Sequence, residues 1–173
     1  MARQDRTEQR PLLYTDEERK RRDASPWTLV QGILAPVQFL VFLISLALIL
    51  RYLATGEGAF AAELSVVVKT LVLYAIMITG SIWEKVVFGR YLFARPFFWE
   101  DVFSIVVLAL HTAYLAALFS RALDSTGLML LALAAYLAYV INAGQFVWKL
   151  RQARLDHRAR LVPAGLAGLE QAR

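Results

Sequence analysis

Four long apolar blocks divide the chain. After a polar segment over residues 1–26, hydrophobic runs extend over roughly 27–53, 64–88, 98–120 and 128–150, and a second polar segment closes the chain over 151–173. Each run is near the ~20 residues that an α-helix needs to cross ~30 Å of hydrocarbon. The period-two alternation of barrel strands is absent, and a backbone in lipid must satisfy its own polar groups, which leaves helices. The predicted fold class is therefore all-α: a polytopic membrane protein of four transmembrane helices. Pro26 stands at the start of the first span, where a missing N–H costs nothing, while Pro36 inside it predicts a kink.

Composition agrees with that pattern. The 173 residues are 58% hydrophobic, more than a soluble domain usually carries. There is no cysteine, which excludes disulfides and thiolate metal sites. Residues 1–23 are dense in charge and lack an apolar h-region, so no cleaved leader is expected. The stretch after Arg160 is small and polar, as disordered tails are.

Charge adds orientation. The formal net charge of +5 is read as topology and lipid contact, with no nucleic-acid partner. Lys and Arg gather in Arg19-Lys20-Arg21-Arg22, between the second and third spans (Lys85, Arg90, Arg95) and after the fourth (Lys149, Arg151, Arg154, Arg158, Arg160). The other two loops hold only Arg121. The positive-inside rule then places both termini in the cytoplasm. Arg51 and Lys69 oppose it weakly and are expected to snorkel to a span end. Trp27, Trp83, Trp99 and Trp148 fall at the same boundary, as interface aromatics do.

Ionisable and amide side chains inside spans are costly in lipid and are the first candidates for function. A shallow layer comprises Trp83, Glu84 and Lys85 at the end of the second span and Trp99, Glu100 and Asp101 at the start of the third. The short connection makes these spans antiparallel neighbours, so the two ends meet. Carboxyls crowded beside a lysine at an aromatic rim suit acid–base chemistry; first-turn carboxylates favouring the helix dipole are the structural explanation. A deep layer comprises Gln38, His111 and, nearer the cytoplasm, Asn142. His111 is either interhelical glue or a functional imidazole, and alone it suffices only as an axial ligand to a metal already held in a macrocycle. Glu100, Ser104 and His111 share one helix face, with Glu100 and His111 ~16 Å apart along it. Tyr74, Tyr114, Tyr136 and Tyr139 either hydrogen-bond between helices or line a flat ligand, and small residues such as Gly80, Ala132, Ala134, Ala135 and Gly144 permit close helix approach.

Four runs carry a family resemblance: Ser25-Pro26-Trp27-Thr28-Leu29-Val30-Gln31-Gly32 within residues 22–36, Gly80-Ser81-Ile82-Trp83-Glu84-Lys85 within 78–89, Phe97-Phe98-Trp99-Glu100-Asp101-Val102-Phe103-Ser104, and Leu110-His111-Thr112-Ala113-Tyr114. Over roughly residues 12–150 the chain resembles the 2-vinyl bacteriochlorophyllide hydratases, small membrane enzymes of bacteriochlorophyll synthesis. The resemblance implies a hydro-lyase that adds water to the C3-vinyl group of chlorophyllide a, or of 3-vinyl bacteriochlorophyllide, to give the 3-(1-hydroxyethyl) product. It implies a bacterial inner membrane, cytoplasmic or intracytoplasmic, and neighbouring pigment-synthesis enzymes as partners. No cofactor is implied, since the magnesium belongs to the substrate. It carries over no catalytic residues.

On that reading an acid protonates the terminal vinyl carbon and a base takes a proton from the attacking water. Glu84 and Glu100 are the first choice for the two roles, adjacent to each other, with Asp101 in reserve. His111 is the axial ligand to the substrate's magnesium, or the acid, or structural. Lys85, Arg90 or Arg95 pairs with the pigment's propionate or serves topology alone, while Trp83, Trp99, Gln38 and Asn142 line the slot. The rival readings are a non-enzymatic pigment carrier and a small transporter or structural subunit.

Overall fold

The computed structural model describes residues 13–170, which are helical apart from short connections. Helix α1 spans Asp16–Ala24, α2 Pro26–Thr55, α3 Ala59–Phe88, α4 Phe98–Ser120 and α5 Ser125–Glu170, with a 3-10 turn at Arg95–Phe97 ahead of α4. Four segments are long and apolar enough to cross a membrane: Pro26–Thr55, Ala59–Phe88, Arg95–Ser120 and Ser125–Gln152. These are the four blocks of the hydropathy pattern, longer at several ends. Glu63 suggests a start at Leu64 for the second span. Its carboxylate instead accepts a hydrogen bond from Ser125 (2.7 Å), and α3 begins a turn earlier.

The helices form two antiparallel hairpins. Gly56 (φ +74°) and Gly58 (φ +82°) close α2 onto α3 within three residues, a turn that side chains with a Cβ adopt only with strain. Polar contacts then zip this hairpin: Trp83 Nε1 donates to Thr28 Oγ1 (2.9 Å), Gln31 Nε2 to Thr79 Oγ1 (2.7 Å), and the Ser45 and Ser65 hydroxyls meet at 2.6 Å. The α4–α5 hairpin turns at Arg121, which is left-handed at φ +53°. Tyrosines join the two hairpins. Tyr136 donates to Ser45 Oγ (2.6 Å), Tyr74 pairs with Thr112 (2.9 Å), and Tyr114 reaches the Glu63 carbonyl (3.4 Å). These three therefore serve as interhelical links, the first of the two roles open to them.

Unlike a soluble bundle, this one is apolar on its outside as well as at its centre. The centre holds Phe42, Ile49, Val66, Tyr114, Met129, Ala132 and Tyr136, while Leu29, Ile33, Leu40, Leu71, Ile78, Leu130 and Leu137 lie exposed on the outside, the arrangement expected of helices long and apolar enough to cross a membrane. Pro36 sits within a continuous α2.

The terminal segments depart from the sequence reading. Residues 1–12 of the polar N-terminal segment lie outside the described residues, but α1 forms within the rest of it. Thr15 caps α1: its hydroxyl accepts from Glu18 N (3.2 Å) and the Glu18 carboxylate accepts from Thr15 N (2.7 Å), a capping box. Tyr14 then stacks on Phe88 at 5.7 Å, fixing α1 to the end of α3. At the other terminus α5 runs on as helix to Glu170, through the stretch expected to be disordered; the Arg, Gln, Ala and Leu of residues 150–155 are good helix formers.

Candidate active site

The end of α3 and the start of α4 converge as the hydrophobic pattern implies, through the returning segment 89–97. Gly89 (φ +79°) stops α3, and its N–H bonds back to the Lys85 carbonyl. Three carboxyls are buried at this junction, Glu84, Glu100 and Asp101, each less than 10% exposed: 6%, 7% and 4%. Their pairing differs from the expected one. Glu84 shares a hydrogen bond with Asp101, not with Glu100. Glu100 forms an ion pair with Lys149 of α5 at 2.6 Å. The reason is helical geometry: neighbours in an α-helix point about 100° apart, so Asp101 faces α3 while Glu100 faces α5.

The Glu84–Asp101 pair also holds the returning segment. Asp101 Oδ2 accepts from Phe93 N (2.7 Å) and Glu84 Oε2 from Ala94 N (3.3 Å). Phe93 adopts φ +59°, a conformation uncommon for a residue with a Cβ, which the carboxylates hold in place. Glu84 and Asp101 thus fix backbone, whereas Glu100 faces open space.

That space is a groove of about 460 Å³ between α4 and α5, lined by Glu100, Gly144, Gln145, Trp148, Lys149 and Gln152. Gly144 does not bring helices together as expected. A Cβ there would meet nothing within 4 Å, so its missing side chain keeps the groove open. Trp148 in its lining is largely exposed, and Trp99, next to Glu100 in the chain, is exposed as well. Lys149 was visible in the sequence only as a topology charge. What marks it as a site residue is its position on the inward face of α5, opposite Glu100.

The remaining shallow candidates are placed elsewhere. Trp83 belongs to an aromatic cluster, edge-on to Phe88 and Phe97 at 5.7 and 5.8 Å. Lys85 Nζ donates to the Gly89 carbonyl (3.0 Å) and lies over the Tyr91 ring. Arg90 and Arg95 are exposed on the connecting segment.

The deep layer is present and larger than expected. Asn142 Nδ2 donates to Ser104 Oγ at 2.8 Å. His111 is fully buried, stacked on Tyr136 at 5.8 Å, with Nδ1 bonded to the Val107 carbonyl (2.8 Å). Gln38 is buried on α2, and neither of its amide atoms has a hydrogen-bond partner among the described residues. Lys69 corrects the sequence reading: it does not snorkel. It is fully buried in mid-span, with Nζ 4.0 Å from the Tyr139 ring centroid. It lies ten residues into α3, so its stem cannot span the remaining turns to an interface. Among the described residues no group of three His, Cys, Asp or Glu side chains is arranged to hold a metal ion.

Comparison with known proteins covers most of the chain. The family model for 2-vinyl bacteriochlorophyllide hydratase matches residues 14–152. A 2-vinyl bacteriochlorophyllide hydratase of Rhodobacter capsulatus is 68% identical over 147 residues, 85% of this chain and 85% of the relative. One from Cereibacter sphaeroides is 69% identical over 148 residues, 85% of this chain and 91% of the relative. No solved structure matches.

Proposed function

The chain belongs to the 2-vinyl bacteriochlorophyllide hydratase family, and we propose that its α4–α5 groove is where water is added to the pigment's vinyl group. It is a hydro-lyase of bacteriochlorophyll biosynthesis. One observation carries the assignment of the site. Of the three buried carboxyls at this rim, Glu100 is the one that lines open space, and a lysine is set against it at 2.6 Å.

Both halves of the hydration fall to Glu100. The Glu100 carboxylate, ion-paired with Lys149 at rest, takes up a proton from solvent in the groove and gives it to the terminal vinyl carbon, forming the C–H bond from the π electrons. The positive charge left on the inner carbon is spread over the conjugated macrocycle. Water attacks that carbon, and the Glu100 carboxylate takes the released proton, which regenerates the acid. Lys149 stabilises the carboxylate while it exists and is positioned against the Phe97 ring at 5.1 Å. Once the pigment fills the groove, its own apolar ring and Trp148 exclude bulk water from the cation. Glu84 and Asp101 act one layer back, holding the segment 89–97 from which Arg90 and Arg95 can reach a propionate.

His111 takes no part in this chemistry. It is sealed in the bundle about three turns from Glu100, closed to a flat macrocycle lying in the groove. The substrate's magnesium travels with the pigment, and the reaction consumes only water. The Lys- and Arg-rich end of the bundle, which includes the groove, lies in the cytoplasm of a phototrophic bacterium's inner membrane by the positive-inside rule.

Purified protein incubated with 3-vinyl pigment and nothing else tests this reading by mass spectrometry. The expected product is heavier by one water. A protein that binds the pigment and leaves its mass unchanged is a carrier, and that result overturns the hydratase reading.

A further inference from the structure

The polar groups that the groove leaves over form a second pattern. Inward from Glu100, α4 buries Ser104, Val107 and His111, at the helical spacing of one face. Helix α5 meets them with Tyr136 and Asn142, while Tyr139 turns toward Phe42 of α2 and Lys69 of α3. The two rows are in register. Asn142 bonds to Ser104 (2.8 Å), and His111 stacks on Tyr136 (5.8 Å). Lys69 of α3 enters at the deep end, with Nζ 4.0 Å from the Tyr139 centroid and 5.4 Å from that of Tyr136. At the shallow end Gln145 lines the groove beside Glu100. Polar side chains therefore recur from the groove to the bundle centre.

Polar atoms without partners follow the same course. Gln145 Oε1, Asn142 Oδ1, His111 Nε2 and Lys69 Nζ are each buried with no hydrogen-bond partner among the described residues. The Val107 carbonyl can only accept, so His111 Nδ1 carries the proton and Nε2 is an acceptor. Three acceptors thus lead to one donor, Lys69. Such atoms are costly to leave unpaired in a lipid-embedded bundle. An anion would suit Lys69 but be repelled by the three acceptors, and a metal cation the reverse. Water donates to the acceptors and accepts from the lysine, and bridges of this kind are what buried water makes.

We propose that the α4–α5 seam holds a file of water molecules, from the groove at Glu100 to Lys69 and His111, that supplies the water consumed in hydration. The proposal rests on the groove being the site of hydration. Beyond Tyr136 the bundle closes around Ile49, Val66, Met129 and Ala132, all fully buried, so the file is a blind-ended store that refills through the groove between turnovers and does not leak across the membrane.

Radiolytic hydroxyl-radical footprinting of the intact wild-type protein tests it, because radicals formed from bound water oxidise the side chains touching that water. Tyr136 and His111, and the partly buried Tyr139, should be oxidised at least tenfold faster than Met129, which is intrinsically more reactive and as buried as the first two. Equal silence at all four sites overturns the file. Asn142→Leu, which plugs the seam, should lower kcat at least fivefold with KM unchanged; wild-type kcat in that variant, with footprinting at Tyr139 lost, overturns the supply role. The readings separate cleanly. Absent labelling in an enzyme that depends on Glu100 removes only the water file, whereas full activity of Glu100→Gln removes the groove assignment beneath it.

Discussion

At the scale of single residues, the account turns on which groups face which. Lys149 and Glu100 are paired at 2.6 Å in a largely buried setting, and removing one partner of such a pair strands the other's charge. Lys149→Met should therefore lower kcat at least tenfold in a steady-state assay, and Lys149→Arg should recover part of the loss by restoring a cation. Gly144 gives a complementary test, because a Cβ there touches nothing within 4 Å. Gly144→Leu should insert and fold as wild type but raise KM by tenfold or more, about 1.4 kcal/mol of binding, by filling the groove. Part of this site is legible in the sequence: charged residues in lipid-length runs must be accounted for, and Glu84, Glu100 and Asp101 do converge. Their pairing is not legible, because it depends on which of two neighbours on α4 turns toward α3. Nor is Lys69, which looks like a snorkelling cation until it is seen buried in mid-span against Tyr136 and Tyr139 of α5.

At the scale of elements, hydrophobic length is the strongest signal in this chain, and it locates the four membrane helices to within a few residues at most ends. It fails at the edges, where local hydrogen bonding decides. Glu63 looks like a boundary and is accommodated by Ser125, while Thr15 and Glu18 build α1 inside a segment whose charge density suggested only a tail. The same reasoning separates the working part of α5 from its extension. The groove ends at Gln152, and the family match ends at the same residue. A chain truncated after Leu155 should keep wild-type kcat and KM for the vinyl pigment; loss of turnover in a protein that still inserts would show that the extension contributes to the site.

At the scale of the whole molecule, charge and buried polarity are both concentrated at one end of the bundle. The end of the bundle that carries α1, the segment 89–97 and the continuation of α5 holds the three buried carboxyls, the groove and most of the Lys and Arg residues. The opposite end is closed by two short turns. Because the chain has no cysteine, single cysteines report topology on a clean background. Cysteines at Arg90 and Glu57 should react with membrane-impermeant thiol reagents from opposite sides, the former from the cytoplasm. The central claim, that one carboxyl in the groove both gives and takes the proton, is tested most directly by the turnover of Glu100→Gln. Quantified by product mass on protein shown to be folded and membrane-inserted, the variant should bind the vinyl pigment and form hydrated product at a rate lower by about 10²–10⁴. Hydration at the wild-type rate would contradict the account.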